Sequence, residues 1–338
     1  MGACRRISQV RKKGIIAFWI LTALVLAGGA GALTLSLFCG GGEGTVAEHG
    51  RFVPADTSMI FLSDTQSPLL PEQIILSENR NREARDLILG DIRRGGAAAV
   101  FHCGDLVSLG FCDRDWARVD AFVEGLNAEG IPFYPVLGNH DVMLLGREGE
   151  RRFQKRYPHA SRTGYSVQAG RVGVVLLNSN FTILTDQEVK QQQEWYDSTL
   201  TEMEADSTVG AVIVVCHHSP FTNSKIVSPS ESVQQRFVPL FVRNEKCKFL
   251  ISGHAHAFEH FVQEGKDFLV IGGGGGLQQP LYTGGEQKWK DRYPDRREKR
   301  MFHYIRCGVE GDSLKITVRM ADSEVRSLRE VYALSIGL

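Results

Sequence analysis

The chain has 338 residues, 43% of them hydrophobic, with 39 Lys+Arg balanced by 39 Asp+Glu. Zero formal charge argues against a dedicated nucleic-acid binder, whose affinity rests on a basic surface, and the apolar content argues against disorder. Seven cysteines are too few for a disulfide scaffold.

The charge is unevenly placed. Residues 1–38 carry five cations (Arg5, Arg6, Arg11, Lys12, Lys13) and no acid, so the remainder is net −5. Directly behind them, Ile15 to Phe38 is a run of 24 uncharged residues, long enough at about 1.5 Å per residue to reach across the roughly 30 Å of a bilayer core. Residues 1–38 are expected to be a membrane-targeting segment, either a signal peptide cut near the small residues Gly28 to Ala32 or a retained transmembrane signal anchor. The excess of Lys and Arg before the span places the body outside the cytoplasm, periplasmic or at the cell surface. Residues 39–51 read as a glycine-rich linker, and residues 52–338 as one α/β domain without internal repeats.

Within that domain, short apolar runs rich in β-branched residues predict strands at Met59 to Ser63, Ala97 to His102, Ile131 to Val136, Val172 to Asn178, Val209 to Cys216 and Cys247 to Ser252. Between them, apolar residues at helical spacing predict helices over Arg82 to Arg94, Asp113 to Asn127 and Glu188 to Met203, with Asp113 and Asp186 as N-caps. Past residue 257 the pattern becomes strands alone: Phe258 to Val262, Phe268 to Ile271, Phe302 to Cys307 and Leu314 to Arg319. The run Lys288 to Arg300, seven cations against three acids, reads as a solvated loop or as a grip for an anionic substrate or lipid headgroups. Five cysteines stand in the body (Cys103, Cys112, Cys216, Cys247, Cys307), and those beside the motifs read as small buried side chains.

The residues with chemical potential stand just past the strands. The runs end in Ser63-Asp64-Thr65-Gln66, His102-Cys103-Gly104-Asp105, Leu137-Gly138-Asn139-His140-Asp141, Cys216-His217-His218-Ser219-Pro220 and Ser252-Gly253-His254-Ala255-His256. Carboxylate, amide and imidazole groups thus gather at the carboxyl ends of buried strands, where open α/β sheets place ligands. Such a donor set suits Zn, Mn or Fe.

In order and spacing, the series resembles the calcineurin-like metallophosphoesterase superfamily, and in His218-Ser219-Pro220-Phe221 and Gly253-His254-Ala255-His256 its purple acid phosphatase branch. The resemblance implies a four-layer αββα sandwich of two mixed β-sheets flanked by helices, with two divalent or mixed-valence metal ions at its edge. By position, Asp64 and His256 would hold the first metal, Asp105 would bridge, and Asn139, His218 and His254 would hold the second. His140 would act in catalysis without binding metal, oriented by Asp141, and His217 would pack beside the site.

Two positions depart from the family. Gln66 stands where a His ligates the first metal, and is a weaker ligand, an outer donor or no participant. Ser108 stands where the purple enzymes carry their Tyr, so a ferric tyrosinate is not expected. Gly272 to Gly276 is expected as a glycine turn passing close to the metals rather than a P-loop. The implied activity is hydrolysis of a small phosphorylated substrate, as a phosphomonoesterase with a metal-bridging hydroxide as nucleophile. A phosphodiesterase with the same site, and a non-catalytic metal-binding relative, are the alternatives.

Overall fold

A computed structural model describes residues 52–53, 58–69 and 80–338. The membrane-targeting segment and linker expected at residues 1–51 lie outside the described residues. Among the described residues no helix is long and apolar enough to cross a membrane.

The chain runs through β1 (Phe52–Val53), β2 (Ser58–Leu62), α1 (Asn81–Arg94), β3 (Ala97–His102), α2 (Asp113–Ala128), β4 (Phe133–Pro135), α3 (Gly146–Arg156), β5 (Tyr165–Ala169) and β6 (Val172–Leu176). It continues through α4 (Asp186–Ala205), β7 (Ala211–Cys216), α5 (Glu231–Arg236), α6 (Val238–Arg243), β8 (Cys247–Ser252), β9 (Phe258–Gln263), β10 (Lys266–Ile271), β11 (His303–Glu310), β12 (Ser313–Ala321) and β13 (Leu328–Gly337). Among the described residues the strands form two sheets, ordered β1-β5-β6-β7-β8-β10-β9 and β13-β12-β11-β2-β3-β4. Both are mixed: β2, β3 and β4 run parallel, as do β6, β7, β8 and β10, while β9 and β11 to β13 pair antiparallel.

Side-chain alternation explains the layering. In β2, Met59 and Phe61 enter the core between the sheets, while Ile60 and Leu62 face the outer layer that holds Ala84, Ile88 and Ile92 of α1. In β7, Ile213 and Val215 face the other sheet, and Val212 and Val214 pack with Tyr196 and Leu200 of α4. A strand covered on both faces must be apolar at every position, which is why these segments read as continuous hydrophobic runs. The result is helix, sheet, sheet, helix, the four-layer α/β sandwich that the family resemblance implies.

Several details differ from expectation. Asp113 and Asp186 occupy first helical positions rather than N-caps. The cap of α4 is Thr185, whose hydroxyl accepts from Glu188 N while the Glu188 carboxylate accepts from Thr185 N, a reciprocal capping box. The sequence patterns missed β1, α3, β5, α5, α6 and β13. In the basic run 288–300 most cations are exposed, but Arg300 is buried against Asp291, 3.2 Å away, and lies over the Tyr293 ring. Cys103, Cys216, Cys247 and Cys307 are buried free thiols.

Candidate metal centre

Five strands deliver the motifs to one edge: β2 and β3 lead to Asp64 and Asp105, β4 to Asn139, and β7 and β8 to His217 and His254. Asp64, Asp105 and His254 each have positive φ, at 59°, 57° and 67°. Non-glycine residues rarely adopt this conformation unless the surroundings impose it, and such strain collects at functional sites. Glycines make the close approach possible. A Cβ on Gly138 would stand 2.1 Å from both the backbone nitrogen and Oδ1 of Asp105, and one on Gly253 would stand 2.4 Å from Asp64 Oδ2.

Two groups of ligand-bearing side chains result, Asp64, Asp105 and His256 in one and His217, His218 and His254 in the other. In the first, His256 Nε2 lies 3.2 Å from Asp64 Oδ1, and its Nδ1 is fixed 2.7 Å from the Leu277 carbonyl. Asp64 also accepts from the His254 backbone N–H. Gln66 reaches the same group: its Nε2 is 3.3 Å from Asp105 Oδ2 and 3.2 Å from His256 Nε2, and its buried Oε1 has no hydrogen-bond partner. The turn at Gly272 to Gly276 packs against this cluster, with Gly276 N donating to the Asp64 carbonyl.

His217, set aside in the sequence, sits at the centre of the second group. Its ring is fully buried, with Nδ1 3.0 Å from the Cys103 carbonyl, while Nε2 faces Asn139 Oδ1 at 3.0 Å and Asp105 Oδ2 at 3.4 Å. A ring held through one nitrogen by a backbone carbonyl, with the other aimed at two oxygens, has the usual posture of a metal ligand. His218 Nδ1 meets Ser179 Oγ at 2.9 Å. The rings of His217, His218 and His254 crowd together, with centroids 4.6 to 5.1 Å apart. The adjacent His pair was visible in the sequence, but which ring turns inward depends on the backbone at the end of β7.

His140 and Asp141 are not paired as expected. The Asp141 carboxylate faces inward and accepts four backbone N–H bonds, from Asp105, Leu106, Val107 and Gly138, at 2.8 to 3.1 Å. It ties the loop after β3 to the loop after β4. His140 instead places Nδ1 3.2 Å from the Ser108 carbonyl, and its backbone N–H donates to Asp105 Oδ1 at 2.8 Å. The Ser108 hydroxyl donates to the Ser67 carbonyl.

The electrostatics suit bound cations. Burial opposes a charge on Asp64 and Asp105, yet their imidazole neighbours, His256 and His217 respectively, hold both carboxyls below the usual range. Burial likewise opposes a proton on His217, but Asp105 outweighs it and lifts the imidazole to about 9. Burial and His217 push His254 down to about 3, and burial takes His218 well below its ordinary value. Burial and the Asp105 charge push the Asp141 carboxyl up to about 8, against the pull of its backbone donors.

The profile of the calcineurin-like phosphoesterases matches residues 57–258, more than half of the chain. The chain belongs to the calcineurin-like phosphoesterases. No curated protein matches it. Among solved structures, a purple acid phosphatase from yellow lupin (Lupinus luteus) seeds is similar with a TM-score of 0.63 at 15% identity, over 86% of this chain and 55% of its own. This phosphoesterase therefore spans about half the length of the lupin protein. An anchor protein of the inner membrane complex of Plasmodium gives 0.62 at 12% identity, over 84% and 89%. A dimetal phosphatase from Danio rerio gives 0.50 at 13%, over 84% and 99%. At such identities the likeness concerns the fold.

The residues fit a pair of metal ions. Two carboxylates and four imidazoles meet within two adjoining groups, and the Gln66 amide leaves a buried oxygen unsatisfied beside them. Buried polar atoms are normally paired, so an unsatisfied amide oxygen beside clustered carboxylates and imidazoles is suited to a cation.

Proposed function

We propose that this phosphoesterase is a metal-dependent phosphomonoesterase acting on a small phosphorylated substrate. The observation that carries the proposal is the convergence of Asp64, Asp105, Asn139, His217, His218, His254 and His256 on one edge, with His140 beside them and held differently from the rest. Asp64, His256 and Gln66 would hold one ion, Asn139, the paired histidines and His254 the other, and Asp105 would serve both. Two such ions, of Mn, Fe or Zn, supply Lewis acidity toward phosphate oxygens and an activated water.

The chain's own residues do the rest. Asp105, with one oxygen toward His217 and the other on the His140 backbone N–H, supplies the negative charge that lets two cations sit close together. Neutral Asn139 adds a donor without adding charge, which keeps the site attractive to a phosphate. His140 donates Nδ1–H to the Ser108 carbonyl, which orients the ring and leaves Nε2 to carry a proton to the departing alkoxide. With Ser108 where a tyrosinate would stand, the metals have no phenolate ligand, and no purple colour is expected.

The test is hydrolysis of p-nitrophenyl phosphate and bis-p-nitrophenyl phosphate by the full chain with Mn, Zn or Fe. Faster turnover of the monoester, abolished by Asp105→Asn, is the expected result. Preference for the diester would reassign the enzyme as a phosphodiesterase, and tight metal binding without hydrolysis of either ester would make it a non-catalytic relative. We also propose an extracytoplasmic location, supported by the five cations and apolar run of residues 1–38. Protease accessibility of the body in intact cells tests it.

A further inference from the structure

A cavity of about 450 Å³ lies beside the metal centre, walled by α1, α2 and the loops that come after β2 and β3. Three guanidinium groups line it, Arg85, Arg114 and Arg118, together with Ser67 and Ser108, and among the described residues Asp115 is the one carboxylate in its lining. Asp115 is already engaged, accepting from the Leu109 backbone N–H at 3.1 Å. Arg118 shares its charge with Asp86, 3.1 Å away, and Arg114 is exposed.

Arg85 is the unusual member. It is 4% exposed, and among the described residues its single hydrogen bond runs from Nη1 to the Gln66 carbonyl at 2.8 Å. Its Nε is buried without a partner, and among the described residues no carboxylate pairs with it. Burying an arginine without a counter-ion is costly, and natural proteins seldom do so without an anion to receive it. The guanidinium fork suits a phosphate or carboxylate in particular. The cavity also shares a wall with the metal centre: the Gln66 backbone meets Arg85 while its side chain meets Asp105 and His256, and the Ser108 carbonyl meets His140.

We propose that this cavity is an anion subsite that takes a second phosphate, or a comparable oxyanion, of the substrate whose ester lies at the metal centre. The substrate class is then a phosphate ester bearing another strongly anionic group, which deepens the phosphoesterase reading and rests on it. The body's net negative charge cannot draw such a substrate, so the arginines would complement the metals in doing so.

The test uses the full chain freed of metal by chelation, with inorganic phosphate titrated in a calorimeter. Saturable binding is expected, weakened about tenfold when Arg114→Gln and Arg118→Gln are combined, a loss of about 1.4 kcal/mol. Both side chains lie at the rim, so folding should survive, and circular dichroism checks this. No saturable binding, or equal binding in the double variant, overturns the subsite. In the metal-loaded chain, the KM ratio of a sugar bisphosphate to p-nitrophenyl phosphate should rise about tenfold in the same variant, and an unchanged ratio also counts against the proposal. If metal-free binding behaves as expected but the loaded chain hydrolyses no ester, the subsite stands and the phosphoesterase reading falls.

Discussion

The four backbone N–H groups that meet Asp141 come from two loops, one carrying Asp105 and the other opening at Gly138. Losing a hydrogen bond at a buried donor costs about 1–3 kcal/mol. Asp141→Ala, which leaves four buried donors without their acceptor, should therefore lower unfolding stability by roughly 3 kcal/mol or more and weaken metal binding, as denaturant titration and metal analysis would show. His140→Ala should leave stability and metal content close to the parent while turnover falls about 10²-fold. Loss of metal in that variant would make His140 a ligand. A third residue, His303, stands behind the glycine turn, where its backbone N–H donates to the Gly273 carbonyl. Its ring is buried with Nδ1 2.8 Å from the Met301 carbonyl and Nε2 unpartnered, and burial pushes it down to about 4. Because the folded value lies below the unfolded one, its stability contribution is complete above about pH 6.5 and is lost as pH falls toward 4. Between pH 7.5 and 5, the parent should lose about 2 kcal/mol more than His303→Phe, measured by denaturant midpoints. Motif order made Asp64, Asp105 and Asn139 legible, because each stands a short fixed step past an apolar strand. The inward turn of His217 and the four-donor role of Asp141 were not legible, since both depend on how separate loops meet in space.

Elements buried on both faces were the most readable. β3 and β8 match their expected bounds, and α1 and α2 differ by a residue at an end. Ends set by side-chain hydrogen bonds were less readable: at α4 the cap is Thr185, which meets Glu188 reciprocally, rather than the acidic residue beside it. Thr185→Ala should lower stability by about 1 kcal/mol, seen as a matching shift in denaturant midpoint, while Asp186→Ala should cost less. The helix α3 was hidden because its buried residues, Gly149, Phe153 and Arg156, keep helical spacing but include only one hydrophobic side chain. It is held by ion pairs instead: Arg156 is buried against Asp120 at 2.8 Å, and Arg152 pairs with Asp113. The outermost strand β13 alternates only from Tyr332 onward, with Tyr332, Leu334 and Ile336 half-buried against the core between the sheets, and the register shift opposite Val318 and Arg319 breaks the period before it.

At the scale of the molecule, the balanced charge is an average over unlike parts. Residues 1–38 are basic, and the rest is net negative, so attraction of a phosphate ester has to come from metals and from local arginines rather than from the overall field. The sandwich serves this by carrying the ends of strands from both sheets to a single edge. Metal binding should therefore couple to the stability of the whole domain. At a free metal concentration 100 times Kd, one site adds about 2.7 kcal/mol, and chelation should lower the unfolding temperature measurably. The most direct test is to titrate Mn into the metal-free full chain while monitoring p-nitrophenyl phosphate hydrolysis. Activity that appears only as the second equivalent binds, and that Asp105→Asn never shows, is the predicted result. Hydrolysis complete at one equivalent, or none at saturation, would contradict a two-metal phosphoesterase.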